Sequence, residues 1–476
     1  MKMKQRILIL FILLQFVIGV KAQCTFEQCY KYYDVNYYPY PRTIVTSDGG
    51  FLTTMTCDYD SLNPASQDDL DMAIVKNDSC GNTLRRMHYG FPNAADEASG
   101  AIETSTGEYL IAGTTEGGQS IGNIRVVKFS PKGTKIWDSI YTGQSESICF
   151  DIIKRNGRKG ALLCGYMTSY LPSDSLYTPY IMEIDEDGNL IRSKRIKTHY
   201  AGKSLNYFIK ILQPNDSTYD IFEIGQDTIY LIQTDTSFNL RINKPILYTS
   251  TRYLSSFVTN DKKNIAFLAH FTDSNYITST NLFILDINGN FKKRLNFSKP
   301  PFDTLPGPPD FISPSIDNGY LVGLYLMLLD SNLNLLKPKY KEIYRGRIYS
   351  STQLKDGSII TSGISYLLNT TFESLYINKM NSDGNFSYFG IGDAKSENNY
   401  LNIYPNPVID ELKIETNSFH PLQIEMMNCT GQIIYATTFT NSTTINTQTF
   451  AEGIYFLRIT DTNSGKINTQ KVAVVR

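Results

Sequence analysis

Residues able to do chemistry are few in this chain, and their spacing assembles no known catalytic unit. There are four histidines: His88, His199, His270 and His420. None stands at zinc spacing from another, and no His-Glu-x-x-His occurs. A nucleophile triad can be built from distant residues, but no Gly-x-Ser-x-Gly elbow accompanies these histidines. Asp185-Glu186-Asp187-Gly188-Asn189 has the acids of a calcium loop. An EF-hand loop spreads its ligands over about twelve residues and ends on a bidentate glutamate, which is missing here, so this stretch reads as a turn. Asp68-Asp69-Leu70-Asp71 reads as a solvated loop, and Gly117-Gly118 lacks the lysine of a phosphate loop. Paired carboxylates for glycoside hydrolysis need a known separation, and no pair can be chosen. No catalytic, cofactor-binding or metal-ligating residue is assigned, and no cofactor is expected.

Cysteines and tyrosines carry the remaining chemistry. Six of the seven cysteines lie ahead of Gly165. In an exported chain they are candidates for disulfides, with connectivity left open by spacing. Pairing of sequence neighbours is the expectation: Cys24 with Cys29, Cys57 with Cys80, Cys149 with Cys164. Cys429 is left as a half-buried thiol. Tyr30, Tyr32, Tyr33, Tyr37, Tyr38 and Tyr40 cluster near the start. They could stack on sugars or anchor a protein contact, but they are also ordinary strand residues.

The elements that position these residues follow from pattern. Residues 1–22 form a signal peptide: Lys2, Lys4 and Arg6 precede an apolar run to Val20, and Val20-Lys21-Ala22 offers the cleavage site. Gln23 rather than Gly, Ala or Ser precedes Cys24, which argues against a lipobox. No later stretch reaches the ~20 apolar residues of a membrane span; Leu321 to Leu329 is strand-length. Formal net charge is −1, which excludes steering toward nucleic acid or anionic lipid. Thirty-three Tyr and twenty-five Phe against one Trp favour an all-β chain.

One unit recurs between residues 23 and 390. An apolar strand runs into an Asp-x-x-Gly-Asn turn and a second strand follows. The turns begin at Asp78, Ser130, Asp185, Asp235, Asp286, Asp330 and Asn381. Their spacing, near fifty residues, is that of a propeller blade. Glycine at the fourth position fits a left-handed residue. Where Phe238 and Leu333 replace it, the following Asn239 and Asn334 would take that conformation after a one-residue slip. Gly113, Gly165, Gly323 and Gly363 would let strands approach closely. Pro300 to Pro314 reads as a rigid exposed loop. The expected fold of 23–390 is a seven-bladed β-propeller, with a run of β-sandwiches as the competing architecture.

Residues 391–400 read as a linker. From residue 401 to 476, period-two runs separated by polar turns suggest a small immunoglobulin-like β-sandwich. Three local motifs stand in it: Tyr404-Pro405-Asn406-Pro407, then Gly453 and Tyr455 in Gly-Ile-Tyr-Phe-Leu-Arg-Ile, then a terminal strand from Lys471 to Arg476. In this order they resemble the C-terminal (type A) sorting domain of the type IX secretion system of Bacteroidetes. The first two repeat units are similar to propeller repeats of secreted Bacteroidetes proteins, with Trp137, Tyr141-Thr142-Gly143 and Tyr89-Gly90 matching. The resemblance implies recognition of the tail by the outer-membrane export machinery and its removal in the linker. It also implies cargo that is released or held on the cell surface. Asp60-Ser61-Leu62 and Asp174-Ser175-Leu176 resemble the O-glycosylation triplet of such exports. The body is then expected to be a binding module for a glycan or protein; the alternative is a carbohydrate-active or peptidase enzyme with its site in the propeller channel.

Overall fold

The computed structural model describes residues 26–31, 41–58, 70–92, 94–116, 122–141, 146–167, 178–196, 209–224, 228–248, 251–259, 261–272, 278–299, 309, 311–323, 326–337, 346–366, 373–382, 401–416, 421–428, 430–462 and 467–476. The signal peptide, Cys24, Cys429, the linker, both Asp-Ser-Leu triplets, His199 and His420 lie outside them, as do the side chains of Cys29 and His270.

The chain is all-β. Among the described residues up to Met380 there are seven four-stranded antiparallel sheets. Their first strands are Arg42–Val45, Asp96–Glu103, Ser147–Lys154, Ile209–Asn215, Thr251–Val258, Ile312–Pro314 and Gly346–Gln353. Each first strand packs against the next, and the last returns to the first. Six sheets are built from four strands in chain order. The seventh takes its fourth strand from the start of the chain: Phe26–Lys31 pairs antiparallel with Glu373–Met380, Phe26 opposite Lys379. The N-terminal segment therefore closes the last sheet.

Burial explains the order of strands within a sheet. Middle strands are apolar on both faces; all seven residues of Asn123–Phe129 are buried. Fourth strands are exposed and charged, as in Leu190–Arg195, which blunts their open edges. Every sheet shares an apolar cluster with the next, and the seventh shares one with the first through Phe51, Met55, Ile364 and Leu375. Close approach is visible where a first strand bulges. A Cβ on Gly113 would meet the Glu97 carbonyl at 1.6 Å, and one on Gly165 the Ile148 carbonyl at 1.8 Å, so only glycine fits opposite these bulges.

The recurring turn is held by its own side chain. In the turn at Asp286, one carboxylate oxygen accepts from the amides of Asn288 (2.9 Å) and Asn290 (2.8 Å), and the other from the Asn290 side chain at 2.9 Å. The turns at Asp78, Asp185, Asp235 and Asp330 repeat this pattern. The slip expected at Phe238 and Leu333 does not occur. Both residues take the left-handed conformation themselves (φ 63 and 71), with the hydrogen-bond register unchanged. Their side chains explain it. Phe238 is buried against Tyr219, with Arg192 4.6 Å from its ring centroid, and Leu333 is buried in the cluster between the fifth and sixth sheets. Burying such a side chain contributes about 1.5–3 kcal/mol, enough to offset the ~1–2 kcal/mol left-handed penalty.

Two expected disulfides are absent. Cys57, Cys149 and Cys164 are buried thiols. Cys57 stands opposite Asp71 at one end of Leu70–Asn77, while Cys80 lies in the turn beyond the other end. That strand spans roughly 20 Å, too far for a bridge. Cys149 and Cys164 are near neighbours on paired strands, but Cys149 points into the cluster shared with the second sheet and Cys164 into that shared with the fourth. Cys80 is disulfide-bonded, to a partner outside the described side chains.

The tail has two further antiparallel sheets. One joins Leu401–Tyr404, Glu411–Thr416 and Ser442–Asn446; the other joins Leu422–Met427, Ile433–Phe439, Gly453–Asp461 and Ile467–Val474. They share one core, including Leu412, Ile414, Ile424, Met426, Leu457 and Val472.

Candidate sites in the tail and on the first strands

The three tail motifs, far apart in sequence, meet at one end of the tail. Asn406 clamps the terminal strand: its side-chain amide donates to the Lys471 carbonyl at 2.8 Å, and its oxygen accepts from the Ala473 amide at 2.9 Å. Pro405 and Pro407 flank it, each preceded by a cis bond. Gly453 (φ 152) stands opposite Val474, and Tyr455 opposite Val472. The buried Tyr455 hydroxyl donates to the Ala451 carbonyl at 2.7 Å. Arg476 closes the arrangement. Its guanidinium donates to the carbonyls of Ile409 (2.6 Å), Thr447 (2.7 Å), Gln448 (3.0 Å) and Phe450 (2.6 Å). Lys471 is exposed on the terminal strand.

Tyr404 is apart from this group and faces the first sheet. Its hydroxyl donates to Glu415 at 2.7 Å. Glu415 also pairs with Arg86 on Thr83–Tyr89, and the Arg86 guanidinium lies 5.6 Å from the Tyr404 ring centroid. His88 is close by, 3.9 Å from the Cys57 sulfur. Burial, with Arg86 and Lys413 near, pushes its imidazole down to about 3, so it is neutral and unsuited to proton transfer at ordinary pH.

On the first strands a second group converges that no sequence spacing indicated. Asp151, 2 % exposed, pairs with Arg42 from the first sheet and, at 3.3 Å, with Lys210 from the fourth. It also accepts from the Ile211 amide at 3.2 Å. Arg42 reaches it by crossing the second sheet at Gly100, where a Cβ would sit 3.5 Å from the guanidinium. Both cations remain partly exposed, at 30 % and 28 %. Burial draws the Lys210 ammonium below its ordinary value, against the pull of Asp151. Three sheets are thus tied by one carboxylate.

Other acids are consumed locally. The Asp185 turn is satisfied by its own amides and Asn189, and Glu186 accepts from the Ser105 amide and hydroxyl at 2.7 and 2.6 Å. Arg125, fully buried, pairs with Asp96 (2.5 Å) and Asp138 (2.9 Å) and lies over Tyr89 and Phe91. Glu97 is pushed up to about 7, first by burial and then by Glu116. Among the described residues no group of three or more His, Cys, Asp or Glu side chains is placed to hold a metal ion, and no helix is long and apolar enough to cross a membrane.

No curated protein matches the chain in sequence. Among solved structures, it is similar to a fungal alcohol oxidase of the AA5 family in complex with copper, at 12 % identity over 94 % of this chain and 98 % of that one, with a TM-score of 0.46. It is similar to PorZ, a bacterial surface component of the type IX secretion system of Porphyromonas gingivalis, at 12 % identity over 90 % and 69 %, TM-score 0.31. It is also similar to a protein of unknown function from Dyadobacter fermentans, at 10 % identity over 74 % and 98 %, TM-score 0.44. The family model of the secretion system C-terminal sorting domain matches residues 402–475, the stretch that holds all three motifs except the final Arg476. Residues 402–475 are a type IX secretion C-terminal sorting domain, and the chain that carries it is a secreted or cell-surface protein exported across the outer membrane.

Proposed function

We propose that the seven sheets form a seven-bladed propeller, residues 23–390, which acts outside the cell as a binding module for a glycan or a protein. A linker at 391–400 joins it to an immunoglobulin-like sandwich at 401–476, whose Tyr404, Pro405, Asn406, Pro407, Gly453, Tyr455, Lys471 and Arg476 serve export.

One observation carries the binding reading: the two ends of the sheets are built differently. At one end the strands are joined by short turns satisfied by their own backbone and side chains. At the other end five connections are long and unlike one another in sequence, 59–69, 168–177, 197–208, 297–311 and 338–345, while others, such as 225–227 and 249–250, are short. Varied loops on a rigid scaffold are where recognition is placed. Arg42 and Lys210, both partly exposed beside Asp151, stand where the first strands meet, and cations there favour an acidic group on the ligand.

The test is a glycan and protein-partner screen of the exported protein at low and raised salt. Binding should weaken with salt and with combined Arg42→Ala and Lys210→Ala. Binding that survives both changes would detach the ligand from this charge. Glu97 favours a second reading, an enzyme, because a carboxyl held near 7 is protonated often enough at neutral pH to donate. Turnover of chromogenic glycosides or peptides that disappears in Glu97→Gln would select that reading.

A further inference from the structure

We infer that the outer strand of the first sheet is a seat for the sorting domain, so that the tail is carried docked on its own cargo, held there by Arg86, Glu415 and Tyr404. Fourth strands elsewhere are open edges. Five of the six residues of Leu190–Arg195 are exposed, and four of the six of Phe291–Asn296. Thr83–Tyr89 differs: of its seven residues only Arg85 is exposed. The Arg86 side chain is 8 % exposed, against 32 % for Arg192 on the fourth strand of the third sheet. Arginine is rarely so buried unless it is paired, and the partner of Arg86 comes from the tail.

Register in the tail gives the matching face. Tyr404 stands opposite Lys413 on the paired strand, and Ile403 opposite Ile414. Opposed residues share a face and neighbours alternate. Ile414 lies in the tail core, so Tyr404, Lys413 and Glu415 point away from it. Tyr404 is nevertheless only 7 % exposed. Leu401–Tyr404 packs against Thr83–Tyr89, and the Arg86 guanidinium lies over the Tyr404 ring. Glu415 accepts from the Tyr404 hydroxyl and pairs with Arg86, so one carboxylate joins a tyrosine of the tail to an arginine of the body by charge-assisted bonds. Lys413 extends the contact to His88, whose imidazole is held neutral by burial, then Arg86, then Lys413. Arg86 and His88 are two apart on one strand, as Lys413 and Glu415 are on the other, so one face of each strand makes the contact.

A tyrosine of the Tyr-Pro-Asn-Pro run is thus covered by the body, while Lys471 stays exposed. If Tyr404 serves export as proposed, machinery that takes hold of it must first lift the tail from the body. The docking itself depends neither on that role nor on the ligand of the body, and a measurement of shape reads the docking alone.

The experiment is small-angle X-ray scattering of the full chain with its tail attached. The native protein should scatter as one compact body. Arg86→Glu and Glu415→Arg should each free the tail and raise the radius of gyration, with the β circular-dichroism spectrum kept. The exchanged pair, Arg86→Glu with Glu415→Arg, should return the radius of gyration to the native value. Should Arg86→Glu fail to fold, Glu415→Ala, which shortens a partly exposed side chain of the tail, carries the same expectation. A native chain whose scattering requires many positions of the tail would overturn the seat. So would folded single variants as compact as the native chain, or a folded exchanged pair that stays extended.

Discussion

At the scale of single residues, the buried acids make the sharpest statements. Asp151 is the joint of three sheets, so Asp151→Asn removes the carboxylate that Arg42 and Lys210 share. Because both cations are partly exposed, the loss is discounted for solvation and set at about 2 kcal/mol, read as a lower urea midpoint. An unchanged midpoint would remove Asp151 from the joint. Asp220 acts differently. It is fully buried, one oxygen accepts from the Gln233 amide at 2.8 Å, and the other has no hydrogen-bond partner. Burial pushes its carboxyl up to about 7. Its folded pKa thus exceeds its unfolded value near 4. The stability tied to the protonated form is complete below about pH 4 and is lost as pH rises through 7, at up to ~1.4 kcal/mol per unit. Asp220→Asn should flatten the stability profile over that window, measured by denaturation at several pH values; a variant with the same slope as the native protein would contradict it. Neither acid was legible in the sequence. Each stands in a largely apolar strand, and its partners come from other strands or other sheets.

At the scale of elements, the turns were the most legible part, because their information is local. An aspartate, an asparagine four residues on and a glycine between them fix the hydrogen bonds, and six described turns fall where the repeat put them. The exceptions came from packing, which a single repeat does not display. Phe238 departs from the glycine rule because its ring packs into the apolar cluster between the third and fourth sheets. Gly188, at the equivalent place, keeps the rule because a Cβ would meet the Trp137 ring at about 3.0 Å. Phe238→Gly relieves ~1–2 kcal/mol of backbone strain and forfeits the burial and cavity terms of a large aromatic, about 3–5 kcal/mol. The net expectation is destabilisation by about 2 kcal/mol in equilibrium unfolding. A stabilised glycine variant would show that strain, not packing, dominates this turn. The cysteines failed for the same reason as the turn slip: sequence neighbours were paired, whereas strand direction and face decide which sulfurs can meet.

At the scale of the whole molecule, the chain separates an address from a working part. The address was legible because its motifs are short and ordered, although their reason for being conjoined was not. The structure supplies it: Asn406 and Arg476 both hold the terminal strand by backbone hydrogen bonds, so the residues that mark the tail also hold its fold together. A domain of about 75 residues has little stability in reserve. Arg476→Ala removes four carbonyl contacts from an exposed guanidinium, a loss of about 1–2 kcal/mol, and should lower both the Tm of the tail and the yield of exported protein. Deleting residues 401–476 should hold the protein in the periplasm entirely. The two variants separate recognition from folding. If Arg476→Ala unfolds part of the tail and export falls in proportion, the arginine acts through the fold. If the tail stays folded and export still collapses, Arg476 is itself read by the export machinery. Fractionation of cells, periplasm and medium, with a circular-dichroism melt of each exported or retained species, distinguishes the two outcomes. Full export of the deletion variant would show that the body carries a second signal.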